Sequence, residues 1–198
     1  MSIIELQFEF SVKTEIKRVE NTLAKLDWYR NNGYNPDLPN DLNNIEKSVE
    51  NEFGEKLFQQ VQNGITNEWK KVSADFPSKL KTLKLDCHNI YRIQLTKYGV
   101  RGSYNLPNVI IINIRDREIK DIVRTVIHEI IHLSIENWII EYKTPHWQKE
   151  RLVDLIFDKI YQELNKMREP KENSDTVDRN FKKYYPDIKK VIKNIGTD

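Results

Sequence analysis

Residues 3–10 alternate in character. Ile4, Leu6, Phe8 and Phe10 fall on one side and Glu5, Gln7 and Glu9 on the other, which predicts a half-buried strand. Ser11 is placed to cap a following helix that carries Val12, Ile16, Val19, Leu23 and Leu26 at helical spacing. The polar stretch 31–39, with Gly33, Pro36 and Pro39, predicts a loop. Helical periodicity resumes near Asp41 and continues through Ile45, Val49, Phe53, Leu57, Val61, Ile65, Trp69 and Val72 to Phe76. Gly54 and Gly64 are candidate breaks, and Pro77 is the expected stop.

Beyond residue 80 the pattern changes. Tyr91, Ile93 and Leu95 alternate with Arg92, Gln94 and Thr96, which predicts a strand. Gly99 and Gly102 flank a turn. Ser103, Tyr104, Asn105 and Leu106 suggest a short extended segment stopped by Pro107. Val109, Ile110, Ile111 and Ile112 form an unbroken apolar run, as a buried strand does. Asp116 is placed to cap a helix reaching about Trp138, with Glu118 in its first turn. Thr144 and Pro145 suit the start of another, running to roughly Leu164. Residues 166–179 read as loop, and a short helix is expected over about 187–195.

These elements predict an α+β fold. A small mixed sheet from about residues 90–113 would lie on a backing helix near 57–76 and on the helix 117–137, with an N-terminal strand and helical region added to the same body. Three segments follow: 1–80, 81–165 and a C-terminal extension 166–198. The formal net charge of +2 gives no argument for a nucleic-acid partner. The single cysteine, Cys87, rules out an internal disulfide and a thiolate metal cluster and reads as a small packed residue. No basic stretch leads into an apolar run at the N-terminus and no membrane span is visible, so the expected address is the cytoplasm. The oligomeric state is not legible.

Three of the four histidines, His128, His132 and His146, are clustered; His88 stands apart and reads as structural. His128 and His132 are four residues apart on the same predicted helix, so their imidazoles share a face. That spacing lets both bind one zinc ion, and Glu129 directly follows the first of them, where a general base acting on water is needed. The helix is amphipathic and free of proline. The plain alternative is a surface helix with two solvated histidines. Zinc needs a third protein ligand and an open position. On the next helix His146, Glu150 and Asp154 make one polar stripe at successive i, i+4 positions, opposite Leu152, Leu155, Ile156 and Ile160. Glu136 shares the His132 face.

His128-Glu129-x-x-His132 with Glu150 and Asp154 downstream resembles the gluzincin metallopeptidases, in which HExxH pairs with ExxxD on a second helix. The small size is similar to the minigluzincins. The resemblance spans about residues 65–165 and is strongest between Val126 and Leu155. It implies Glu150 as the third zinc ligand and Asp154 as the carboxylate that orients a ligating histidine through its free ring N–H. It also implies that Ser103, Tyr104 and Asn105 form an edge strand that binds substrate backbone by strand addition, with the cleft between that strand and the zinc helix. His146 would then stand beside the ligands or on the substrate side.

A second resemblance, to SprT-like proteases, would instead make His146 the third ligand, fourteen residues after His132. Glu150 is preferred because Glu150 and Asp154 reproduce two parts of one pattern, and no CxxC pair supplies the DNA-binding zinc element expected beside a small SprT domain. Three functions follow. The first is a zinc peptidase acting on peptide or protein substrates. The second is a latent form of it, covered by residues 1–80 or by the tail after Lys166. The third is a non-catalytic, zinc-stabilised interaction module, which has no need of Glu129.

Overall fold

The unbroken apolar run at Val109 occupies a central strand, where both faces are covered. In the computed structural model, which describes residues 3–164 and 174–195, four strands form one mixed sheet: β1 (Glu5–Glu9), β2 (Ile90–Thr96), β3 (Gly102–Asn105) and β4 (Val109–Asn113), in the order β1-β2-β4-β3. β1 and β4 both run parallel to β2 and flank it, while β3 lies antiparallel to β4 at the edge. Burial follows position. Ile110, Ile111 and Ile112 of β4 are all buried, whereas edge strand β1 alternates between exposed and half-buried residues. The N-terminal strand is therefore an integral fourth strand of the predicted sheet, and the α+β architecture holds.

Nine helices are seen among the described residues: α1 (Val12–Leu23), α2 (Leu26–Asn31), α3 (Ile45–Glu52), α4 (Glu55–Val72), α5 (Phe76–Thr82), α6 (Ile119–Glu141), α7 (His146–Ile160), α8 (Ser174–Tyr184) and α9 (Ile188–Ile195). None is long and apolar enough to cross a membrane. Ser11 caps α1 as expected, in a reciprocal capping box with Thr14. The helix expected over 41–76 is three helices. Gly54 does mark a break, but Gly64 lies inside α4, where a Cβ would come within 2.8 Å of Ile119 Cδ1. Pro77 does not stop a helix; it sits in the first turn of α5, where its missing N–H costs nothing.

Three further expectations are corrected. Asp116 does not cap α6: its φ of 51° turns the chain, and the helix starts later, with the Ile122 N–H donating to the Glu118 carbonyl. Thr144 makes no side-chain cap, and Pro145 is the N-cap of α7 instead of its first helical residue. Residues 174–179, read as loop, belong to α8; the remainder of that stretch, from 166, lies outside the described residues.

The chain divides into two compact units, one of Met1–Ile4, Val72–Asn89 and Ile127–Asp198, the other of Glu5–Lys71 and Ile90–Val126. The second holds the sheet, with α1 packed on β2 and on α3 and Phe58 of α4 stacked between Phe10 and Phe53. Glu52 ties its loops together by accepting from the Asn40 N–H, Ser48, Tyr98 and Arg115. Asp37 and Gly99 exchange backbone hydrogen bonds, and Asn113 donates to both residues. In the first unit α5 and α8 pack on α7, and α8 on α9. Arg151 of α7 grips Asp178 of α8 in a two-pronged ion pair, at 2.7 and 2.6 Å. The Tyr161 hydroxyl donates to Asp75 at 2.6 Å and lies 3.0 Å from the Val72 carbonyl.

Gly99 has φ of 83° with the Arg18 guanidinium against it. Gly99→Ala is expected to lower stability by about 2 kcal/mol, from the disfavoured backbone region alone, measured by urea denaturation. Burial would raise the Asp75 carboxyl, but the Tyr161 hydroxyl and then Lys79 outweigh it and hold it below its ordinary value. A lowered carboxyl adds stability above the unfolded-state value, and that stability is lost as pH falls through the folded value. Tyr161→Phe should therefore destabilise by about 1 kcal/mol at neutral pH, with the gap to wild type narrowing in melts below pH 4.

Candidate metal centre

Most of the circumference of α6 is apolar and covered. Ile122, Val123, Val126, Ile127, Ile130, Ile131, Leu133, Ile135 and Ile139 are all buried. Polar side chains on such a helix cannot rely on water and must be answered by protein groups or an ion. Glu129 is 5 % exposed and His132 2 %, so the alternative of solvated surface histidines does not hold. The helix closes at Lys143, whose φ is 52°. Its N–H donates to Ile140 O and that of Thr144 to Ile139 O, the paired C-terminal closure that usually employs glycine. α7 then starts within a few residues. Its buried face carries Leu152, Val153, Ile156 and Phe157, and with them Glu150 and Asp154.

The two helices bring four of the expected residues together. The Nε2 atoms of His128 and His132 are 3.0 Å apart. Glu150 places Oε1 at 3.2 Å from His132 Nε2 and Oε2 at 3.5 Å from His128 Nε2. Among the described residues, His128, His132 and Glu150 form the one group of potential ligands with donor atoms all within 4.8 Å of each other. Two donors about 2 Å from one tetrahedral ion stand about 3.3 Å apart; the ring–ring separation and the contacts that the two Glu150 oxygens make with one ring each lie near that value. Asp154 Oδ1 lies 3.7 Å from the other ring nitrogen of His128, too long for a hydrogen bond but close enough to bias the ring by charge.

The electrostatics suit a cation. Burial, above all, pushes the His132 imidazole down to about 4, so the ring is neutral and its nitrogen lone pair is available. Burial would raise the Glu150 carboxyl, yet His132 and His128 outweigh it and hold it well below the usual carboxylate range. Two imidazoles and one carboxylate are a donor set typical of zinc sites that keep a position open.

The other predicted residues fall elsewhere. Glu129 sits on α6 beside His128, buried. His146 is the first residue of α7, its ring packed edge-on against Trp147 at 4.8 Å, and it is not in the ligand group. Ser103, Tyr104 and Asn105 form β3, paired with Ile111, Ile110 and Val109 of β4, and belong to the unit that holds the sheet. His88 is exposed and Cys87 half-buried. The sequence pattern passed over Lys149, which pairs across the two helices with Glu136 at 3.7 Å. Its only linear signal is its place beside Glu150.

Comparison with protein-family models, with curated proteins and with solved structures returned no match.

Metal analysis of the purified protein should find about one zinc per chain. Glu150→Ala should lose most of that metal, whereas His146→Ala should keep it. Elemental analysis of the three proteins side by side checks both statements.

Proposed function

We propose that this protein is a zinc-dependent peptidase, with His128, His132 and Glu150 as metal ligands and Glu129 as general base. The observation that carries the reading is the convergence of two imidazoles and a carboxylate from α6 and α7, with a glutamate directly following the first histidine on a buried helix. A zinc ion held by these residues would act as a Lewis acid, lowering the pKa of water and polarising a peptide carbonyl.

The protein's own groups have separate tasks. His128 and His132 offer their Nε2 atoms from one face of α6, and Glu150 supplies the anionic donor. Asp154 faces the far nitrogen of the His128 ring at 3.7 Å, where its charge would favour that ring orientation. Glu129 takes a proton from water as the oxygen adds to the carbonyl carbon, and returns it to the amine nitrogen as the C–N bond breaks. A purely structural metal site would have no use for an acid at position 129, and this favours the catalytic reading over the interaction module.

Glu129→Gln keeps size and packing but removes the base. It should retain zinc and the wild-type fold while cleavage of a peptide library falls by about a hundredfold or more. Mass spectrometry of the library, with metal content measured on the same samples, checks this. A wild-type protein that binds zinc yet cleaves nothing in the library would leave the interaction module as the better description.

A further inference from the structure

Helices α8 and α9 are joined by a short turn, and their apolar and charged positions separate cleanly. Val177 and Phe181 of α8 and Ile188, Val191, Ile192 and Ile195 of α9 are buried. Asn180 donates to the Asn194 carbonyl at 3.0 Å, and the two helices pack side by side as a hairpin. The outer positions are basic: Arg179, Lys182 and Lys183 on α8 and Lys189, Lys190 and Lys193 on α9 are all exposed. Between 179 and 193 the only acidic residue is Asp187, whose Oδ1 accepts from the Lys190 N–H at 3.0 Å. Six cations therefore share one hairpin, on a chain with a formal net charge of only +2. Among the described residues none of the six forms an ion pair.

This arrangement works against the helices that carry it. Arg179 and Lys183 are four residues apart, as are Lys189 and Lys193, and like charges at that spacing repel. Lys189 and Lys190 stand in the first turn of α9, the end at which the helix dipole disfavours cations. From different helices, Lys183 Nζ and Lys190 Nζ converge on the Tyr184 ring, at 5.0 and 4.9 Å from its centre. Lys189 Nζ lies 5.9 Å from the centre of the Trp138 ring. We infer that this face docks the protein on an anionic lipid surface, a role independent of the metal centre. A layer of negative headgroups supplies counter-charge to every lysine at once, and each lysine near that layer adds to the attraction. Tyrosine and tryptophan beside lysine suit the headgroup level, where amphipathic rings settle. The apolar faces of both helices are used inside the protein, so the contact is by charge, without insertion of either helix. Nucleic acid fits less well. Five of the six cations are lysines, which lack the fork with which arginine grips a phosphate in two places. The rings that could stack on bases are engaged, Tyr184 by the two ammoniums and Tyr185 by Phe181, at 5.3 Å between centres.

Sedimentation of the full-length protein with vesicles tests this, using phosphatidylcholine alone or with about one-third phosphatidylserine. Wild type should pellet with the anionic vesicles, stay in solution with the neutral ones, and be released when salt is raised to about 0.5 M. Replacing Lys189, Lys190 and Lys193 together by Gln spares the buried face of α9 and should weaken binding roughly a hundredfold, about fivefold per charge. Replacing Lys182 and Lys183 by Gln should weaken it about twentyfold. Lys47, Lys56 and Lys70 are exposed and lie outside the hairpin; changing these three to Gln removes the same charge and should alter binding less than about threefold. Circular dichroism checks each fold, and if one hairpin variant fails to fold the other decides. Wild type that ignores anionic vesicles overturns the inference, as does an equal loss in the variant altered outside the hairpin. Tighter binding to a mixed-sequence single-stranded oligonucleotide or to polyglutamate, at equal concentration of negative charge, overturns the lipid assignment in favour of that partner.

Discussion

Helix α6 is buried around most of its girth, and this single constraint governs the polar residues on it. Water cannot satisfy the buried Glu129 and His132 and reaches His128 only in part, so most of their partners come from whatever packs on that face. The sequence places those partners on α7, where Glu150 and Asp154 recur one turn apart among large apolar residues. Burial and polarity are thus matched on both helices. The resulting cluster brings two rings and a carboxylate within reach of one another among the described residues, a donor set that would suit a cation.

Support for α7 comes from several directions within the same unit. Arg151 holds α8 through Asp178. Tyr161, at the far end of α7, is fixed by Asp75 and by the Lys79 ammonium over its ring, which lies 3.7 Å from the ring centre. The helix that carries the acidic donor is therefore pinned on flanks that do not touch the cluster. Geometry at a metal centre depends on such outer restraints, because a ligand free to wander pays conformational entropy each time an ion is captured.

The sequence made some of this readable and concealed the rest for physical reasons. Strands β2 and β4 and helices α6 and α7 were legible because their apolar positions repeat with the right period over enough residues. The His128–His132 pairing was legible because both lie on one helix, where spacing fixes geometry. Glu150 was reachable only through a resemblance, since His146 sits on the same stripe and no rule of spacing chooses between them. The pairing of Glu136 with Lys149 depends on how two helices meet, which periodicity does not encode. Local chemistry misled at Pro77, which starts a helix as readily as it ends one. At Asp116 a good capping residue serves as a left-handed turn. Helix α8 was missed because its buried residues, Ser174, Val177 and Phe181, form too thin an apolar line to stand out from a polar stretch.

The parallel pairing of β1 with β2 joins residues separated by the whole of 10–89. As the chain emerges from the ribosome, the first strand is made long before its neighbour exists. It must stay unpaired through the synthesis of five helices, with a hydrophobic edge that includes Leu6 and Phe8. Pairings of such long sequence separation are slow to form and leave strand edges open to association meanwhile. The glutamates at positions 5 and 9, exposed on the opposite side of that strand, give the waiting segment a charge that discourages self-association.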